Sequence, residues 1–227
     1  GIDLNETGNR LVMSGMMADG NNNSKSNSGE VMLIKFNDND FTGGSLYGKV
    51  GYGYGSTGGS SLDIDLDDDD RFGQGTALDS DGNRMAIVAA RVDGAGNNSS
   101  DSGAVFLFTF DDDSAFQNPT HVGTIGHTYN LSSYDLSIGT LGSGDSFTSL
   151  SLTDDGSRLA VGAMKDDGAN GGHSNAGAVY LITFDQTTNS DGNPSTDFNN
   201  PTHVGTIGID YAPTNTLTKS LDLGDNG

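Results

Sequence analysis

One sequence pattern recurs three times in this chain at a fixed spacing. The segments GNRLVMSG, GNRMAIVA and GSRLAVGA begin at Gly8, Gly82 and Gly156, so consecutive copies are 74 residues apart. A second set, GEVMLIKF, GAVFLFTF and GAVYLITF, begins at Gly29 and keeps the same step. Two patterns with one period indicate a tandem repeat, in which each unit packs against its neighbours.

A third pattern extends the repeat. The nine residues NPTHVGTIG occur identically from Asn118 and from Asn200, and LYGKVG from Leu46 is the counterpart in the first unit. The three copies share glycines and apolar positions, which indicates a strand. We assign the units to residues 1–72, 73–147 and 148–227. On this assignment the first unit starts inside its first strand, the third ends before the next first strand, and the number of units is close to an integer.

Each unit is predicted to contain four strands. In the second unit these are GTALD, RMAIVAA, GAVFLFTF and HVGTIGHTY, with SDGN as a hairpin turn between the first two. The second and third strands are apolar on both faces, which predicts that sheets cover both sides. The predicted fold is all-β, with three tandem four-stranded antiparallel blade-like sheets, arranged as in a β-propeller or stacked linearly. Propellers close with about four to eight blades, so we expect the outer sheets to be covered by self-association or by further repeats of the same chain.

Charge and composition exclude several classes of function. The formal net charge is −21, which repels nucleic acid. No apolar run reaches the roughly 18 residues that a membrane-spanning helix needs, so membrane insertion is not expected. The absence of cysteine excludes disulfides, thiolate metal sites and a cysteine nucleophile. We expect a secreted protein that is extracellular or at the cell surface.

Three arginines recur with the repeat, and two histidines recur only in part. Arg10, Arg84 and Arg158 each follow the hairpin turn, where a guanidinium can bind loop carbonyls or carboxylates. We predict that they are structural clamps and that Arg158→Ala destabilises the fold. His121 and His203 are equivalent to Leu46, which cannot transfer a proton, so no catalytic residue is assigned.

Calcium is the one cofactor that the sequence suggests, and none is required. Asp79 and Asp81, in DSDGN, partly satisfy a calcium loop, which needs several oxygens and a glycine. The other units do not keep this oxygen set, so a simple hairpin turn is the competing explanation. The longer polar loops, such as VDGAGNNSSDS, are interpreted as solvated and flexible. Candidate N-glycosylation sites follow the Asn-x-Ser/Thr pattern at Asn5, Asn22, Asn97, Asn98 and Asn130.

The units resemble the FG-GAP repeats of integrin α-subunits. Phe72 and Gly73 match the Phe-Gly start of a blade, and the segment from Gly103 matches the third strand of that family. Gly162, Ala163 and Met164 stand where the family has a Gly-Ala-Pro-like step. The resemblance implies propeller-like sheets, extracellular adhesion or ligand display, and often calcium in the first hairpin. This chain has Phe-Gly in one unit and the proline in none.

These observations favour a non-enzymatic extracellular structural or adhesive repeat protein, as a unit of a surface fibre or large adhesin that assembles end to end. The alternative is a calcium-dependent module from a larger closed β-propeller, with a carbohydrate or protein ligand. A third hypothesis, a polysaccharide hydrolase or lyase, requires carboxylates that converge in space.

Overall fold

A computed structural model describes residues 1–56, 60–111, 116–186 and 197–224 of the protein. Within these residues, fifteen strands form three five-stranded sheets, and each sheet contains consecutive strands in chain order. Sheet 1 contains β1 (Ile2–Leu4), β2 (Arg10–Gly15), β3 (Glu30–Lys35), β4 (Ser45–Gly51) and β5 (Leu62–Asp63). Sheet 2 contains β6 (Phe72–Leu78), β7 (Arg84–Ala89), β8 (Ala104–Thr109), β9 (Thr120–Gly126) and β10 (Leu136–Ser137). Sheet 3 contains β11 (Phe147–Leu152), β12 (Arg158–Ala163), β13 (Ala178–Thr183), β14 (Thr202–Gly208) and β15 (Leu221–Asp222).

The all-β, blade-like architecture predicted from the repeat is confirmed. Short 3-10 helices lie at Asn21–Asn23 and Tyr54–Ser56. In the parts of the chain that the structure describes, no helix has the length and apolar character needed to cross a bilayer. Most of the sequence that lengthens the third unit, residues 187–196, lies outside the described residues.

Each sheet has one strand more than the sequence predicted. The first four strands are antiparallel, but a two-residue fifth strand pairs in parallel with the fourth, as Ile125 does with Leu136. The segment before the fifth strand can run close to the fourth strand because the fourth strand has a glycine at the point of contact. A Cβ on Gly123 would overlap the carbonyl group of Tyr134. Gly48 and Gly205 occupy the same position in the other sheets. The prediction of four-stranded antiparallel sheets is therefore corrected to five-stranded mixed sheets.

The long polar loops share one side-chain hydrogen bond that their composition alone did not predict. In each unit, an aspartate Oδ1 accepts a hydrogen bond from a backbone N–H eight residues later. The three pairs are Asp19 with Asn27 (2.9 Å), Asp93 with Asp101 (2.8 Å) and Asp167 with Asn175 (2.7 Å). An Asp-Gly dipeptide repeated every 74 residues was the signal in the sequence. The side-chain bond holds the loop as a compact turn.

Apolar side chains fill the two spaces between neighbouring sheets. We call the face of a sheet toward the preceding sheet in chain order its leading face, and the opposite face its trailing face. The first core contains the trailing face of sheet 1, with Val12 and Leu33, and the leading face of sheet 2, with Ile87 and Phe106. The second core contains the trailing face of sheet 2 and the leading face of sheet 3, with Val161 and Tyr180. Every residue of β7 is buried, as the two-sided apolar pattern predicted.

Neighbouring sheets approach each other most closely at their first strands. The backbone of β6 lies against β1 and β2, and the backbone of β11 lies against β6 and β7. The chain then passes from the outer, fifth strand of one sheet to the first strand of the next. This connectivity is that of propeller blades, and it leaves the leading face of sheet 1 and the trailing face of sheet 3 at the two ends of the row.

Candidate assembly faces and an acidic cavity

Neighbouring sheets are linked at their first hairpin turns by a repeated backbone hydrogen bond. The N–H of Glu6 donates to the carbonyl oxygen of Ser80 (3.1 Å), and the N–H of Ser80 donates to that of Asp154 (2.9 Å). The three residues are 74 apart in the sequence. The same contact therefore forms at both junctions between sheets.

The recurrent arginines strengthen these junctions. Arg10 Nη1 donates to Asn83 Oδ1 (2.7 Å), and its guanidinium lies over the ring of Phe116, 5.8 Å from the centroid. Arg84 Nη1 donates to the carbonyl oxygen of Asp155 (2.7 Å), and Arg84 is 3% exposed. Each of these two arginines thus binds the hairpin turn of the following unit. The clamp joins one sheet to the next, a role that the sequence could not assign.

Arg158 occupies the same repeat position in different surroundings. It is exposed, and its guanidinium lies 3.5 Å from Ser157 Oγ of its own turn. No following sheet is present in the described part of the chain for it to reach. The prediction that Arg158→Ala destabilises the fold assumed a clamp contact that Arg158 does not make among the described residues, so it is corrected: we expect little change in the stability of a single chain.

Phe41 shows the matching difference at the other end. It pairs edge-to-face with Phe36, as Phe116 pairs with Phe110 and Phe198 with Phe184. Phe116 and Phe198 are completely buried, whereas Phe41 is 56% exposed. The difference arises because a preceding sheet lies beside the second and third units only.

Both end faces carry apolar side chains in strand register. Ile2 pairs with Met13 and Met13 with Met32, while Leu4 pairs with Leu11, Leu11 with Ile34 and Ile34 with Leu46. These seven residues lie on the leading face of sheet 1, and four of them are exposed. The trailing face of sheet 3 carries smaller side chains, which are Ala160, Val179, Leu181 and Ile207 beside Gly162. Uncovered apolar faces of this kind mark interaction surfaces.

The predicted metal residues Asp79 and Asp81 lie in the first hairpin turn of sheet 2. Asp79 Oδ1 accepts hydrogen bonds from the backbone N–H groups of Asn83 (2.9 Å) and Arg84 (3.1 Å), while Asp81 is exposed. Burial raises the pKa of Asp79, and those hydrogen bonds and the Arg84 charge oppose the rise. Asn5 and Thr153 accept the same bond in the other sheets. Among the described residues, no three His, Asp or Glu side chains are grouped to hold a metal ion.

The two recurrent histidines stabilise a bulge in the fourth strand. His121 pairs with Phe108 and Gly123 with Leu107, so Val122 is the extra residue of the bulge. His121 Nε2 lies 3.0 Å from the carbonyl oxygen of Gly123, and burial lowers the pKa of the ring. His203 makes the equivalent contacts. Sheet 1 keeps the bulge without a histidine, since Leu46 occupies the position.

The five predicted glycosylation sites differ in accessibility. Asn22, Asn97, Asn98 and Asn130 are exposed. Asn5 is buried, and its amide donates to Thr7 Oγ1 (3.0 Å) while its Oδ1 accepts from the N–H of Arg10 (2.9 Å). Attachment of a glycan to Asn5 would require this turn to open.

An acidic cavity of about 440 Å³ lies between the connection from β5 to β6 and the strands and loops of the second unit. Its acidic lining residues are Asp65, Asp67, Asp70, Asp93 and Asp135, and Phe106, His121 and Tyr129 add aromatic surface. Burial raises the pKa of Asp70 to about 6, and the charges of Asp67 and Asp93 act in the same direction. Three of these aspartates, Asp65, Asp67 and Asp70, belong to one acidic run between β5 and β6, and the fold brings them to the same cavity as Asp93 and Asp135.

Comparisons with known proteins concern the fold alone. No protein-family model and no curated protein sequence matches the chain, so the likeness to FG-GAP repeats stays a resemblance. The chain is similar to a Bacteroides fragilis protein assigned as a 6-phosphogluconolactonase, with 12% identity, a TM-score of 0.38, and coverage of 82% of this chain and 34% of that one. It is also similar to the periplasmic gluconolactonase of Pseudomonas aeruginosa, with 16% identity, a TM-score of 0.38, and coverage of 81% and 36%. The chain spans about a third of the length of each structure.

Proposed function

We propose that this protein is a non-enzymatic structural or adhesive repeat protein of the cell exterior, and a unit of a surface fibre or large adhesin whose sheets continue end to end. One observation carries the proposal: each end of the row presents an apolar sheet face equivalent to a face that is buried inside the molecule. The leading-face residue Met13 is 37% exposed, while its equivalent Ile87 is fully buried. Sheets of this kind are stable when neighbours cover both faces.

The surface charge is consistent with a protein outside the cell that binds no polyanion. A formal charge of −21 opposes contact with nucleic acid and keeps separate molecules apart in dilute salt. Assembly through apolar end faces then supplies the favourable term, because burial of apolar area stabilises by roughly 25 cal/mol per Å². The proposed role needs only strong, repeated contacts between sheets.

Solution size tests this proposal. We expect analytical ultracentrifugation to show concentration-dependent association, and electron microscopy of the same material to show rows or rings of sheets. A Met13→Asp variant places a charge on the leading face and is expected to reduce association, whereas Thr218→Asp, which adds the same charge on an exposed loop, is the matched control. A folded monomer at all concentrations in both dilute and high salt would contradict end-to-end association.

The second candidate is a calcium-dependent binding module, which the acidic cavity favours. Five aspartates line one cavity without three of them being grouped to hold a metal ion, so calcium would be attracted there by their summed charge, and the aromatic side chains beside them suit a carbohydrate or protein ligand. Calorimetry distinguishes the two functions. A large rise in unfolding temperature with calcium, but not with magnesium at equal ionic strength, would support the second candidate. An unchanged unfolding temperature would remove it.

A further inference from the structure

The end faces of sheets 1 and 3 resemble the two sides of a junction that the described residues make twice internally. At the junction of sheets 1 and 2, the first unit supplies Arg10 and the second supplies Asn83 and Phe116. The last unit supplies the arginine again, as exposed Arg158, and the first unit supplies the receiving side again, as Asn9 and exposed Phe41. Asn9 and Asn83 are 74 residues apart, and Phe41 and Phe116 are 75 apart.

The apolar faces on the two sides of each junction also differ from each other. In sheet 2, the leading face has the longest side chains, Met85, Phe106 and Phe108, beside Ala89 and Ala104, whereas the trailing face has branched ones, Val88, Val105 and Leu107, beside Ala86. The exposed leading face of sheet 1 keeps the large type with Met13 and Met32. The trailing face of sheet 3, on which Val179, Leu181 and Ile207 are half-buried, keeps the small type with Val179. A face of one type is packed against a face of the other type at both internal junctions.

We infer that a second copy of this chain binds head to tail, with the trailing face of sheet 3 on the leading face of sheet 1 of the next copy, in the register of the internal junctions. In this register, Arg158 binds the first hairpin turn at Asn9 and lies over the ring of Phe41. The N–H of Asp154 donates to the carbonyl oxygen of Glu6. The inference rests on the proposed function and specifies the partner and the contacts.

The contact is heterologous, because each copy contributes a different surface. A two-fold contact of leading face on leading face would leave Arg158 far from its acceptors and would oppose two sets of large side chains. A head-to-tail contact instead satisfies the arginine, covers the aromatic ring and continues the hydrogen-bond series through Glu6, Ser80 and Asp154. The same register serves a linear row and a closed ring.

Disulfide cross-linking tests the register, and the natural chain has no cysteine to interfere. Ser80→Cys with Asp154→Cys in one chain is the internal control, because a backbone hydrogen bond of 2.9 Å joins the two residues and a disulfide needs Cα atoms ~4.4–6.8 Å apart. The test is an equimolar mixture of Glu6→Cys and Asp154→Cys single variants that carry tags of different mass, oxidised with copper phenanthroline. We expect the internal disulfide in the control and a mixed dimer of the two variants in the test.

The outcomes separate the register from the proposed function. Dimers of Glu6→Cys with itself, or association without any mixed dimer while the control forms its disulfide, would overturn the head-to-tail register and leave the structural function standing. A monomer in all conditions would overturn both.

Substitution of Arg158 provides an independent measurement. Arg158→Ala is expected to weaken association roughly tenfold, as loss of a charged hydrogen bond does, without lowering the unfolding temperature of the dilute monomer. Lys219→Ala removes the same charge near the outer edge of sheet 3 and should leave association unchanged. Equal effects of the two variants would count against the arginine contact.

Discussion

The hairpin turns show how one structural requirement admits three residue types. The side-chain oxygens of Asn5, Asp79 and Thr153 each accept a hydrogen bond from the backbone N–H of the arginine five residues later. An amide, a carboxylate and a hydroxyl all supply the acceptor. The three turns share only a hydrogen-bond acceptor, and a carboxylate occupies this position in one unit. A calcium loop would need charged oxygen ligands retained together.

The buried carboxyl group of Asp70 should make the stability of the protein depend on pH. The pKa of Asp70 is raised from 3.8 to about 6 in the folded protein, so the folded state binds more protons than the unfolded state between those values. Stability attributable to Asp70 therefore rises as the pH falls from about 7 to about 4, where the penalty of the buried carboxylate disappears. Asp70→Asn keeps an acceptor for the N–H of Asp67. We expect it to stabilise the protein at pH 7.5 by at most ~3 kcal/mol and by little at pH 4.

Urea unfolding of the wild type and the variant at both pH values measures this difference. Because the other carboxyl groups titrate in both proteins, only the gap between the two unfolding curves is attributed to Asp70. Equal gaps at pH 7.5 and pH 4 would show that the effect is not electrostatic.

Elements with equivalent sequences differ in stability because their neighbours differ. The second strands β2, β7 and β12 align along the repeat, but only β7 is buried throughout. β7 lies in the middle sheet, whose two faces contact different sheets. In the outer sheets, which have one covered face each, β12 alternates between buried and more exposed positions and β2 has one buried residue, Val12.

A pair of alanine substitutions tests this difference between strands. Ile87→Ala in β7 removes a fully buried side chain and is expected to cost about 2–5 kcal/mol. Met13→Ala, at the equivalent position of β2, removes a partly exposed side chain and should cost about 1 kcal/mol or less in the monomer. Urea unfolding at low protein concentration measures both. Similar losses would indicate that sheet 1 is covered in solution under those conditions.

At the scale of the whole molecule, charge and apolar area oppose each other. A formal charge of −21 makes copies repel, while the uncovered end faces attract. Salt screens the repulsion between charged copies and hardly changes the attraction between apolar faces. If the chains assemble as proposed, we expect ionic strength to set the balance between free and associated chains.

We expect sodium chloride to strengthen association. The Debye length falls from roughly 30 Å at 0.01 M salt to about 3 Å at 1 M, which removes most repulsion between surfaces outside the contact. Sedimentation velocity across this range measures the effect, with calcium chloride at matched ionic strength as a comparison. Association that weakens as salt is added would show that ion pairs, and not apolar faces, hold the copies together.

The sequence by itself determined the repeat, the four antiparallel strands of each unit and the two-sided burial of the middle sheet. These properties depend on local order: the alternation of side chains along a strand, the Asp-Gly and Asn turns, and the 74-residue step. The glycines of the fourth strand were also visible as a recurring pattern. Their role in allowing the segment before the fifth strand to pass close by was not visible.

The tertiary structure alone decided the fifth strand, the shared hydrogen bond of the long loops and the unequal roles of equivalent residues. Arg84 is buried and Arg158 is exposed, although both follow the same turn, and Phe116 and Phe41 differ in the same way. Burial at these positions depends on whether another sheet lies alongside. The repeat pattern gives every unit the same contacts to offer, and only the three-dimensional arrangement shows which of them the ends of the row leave open.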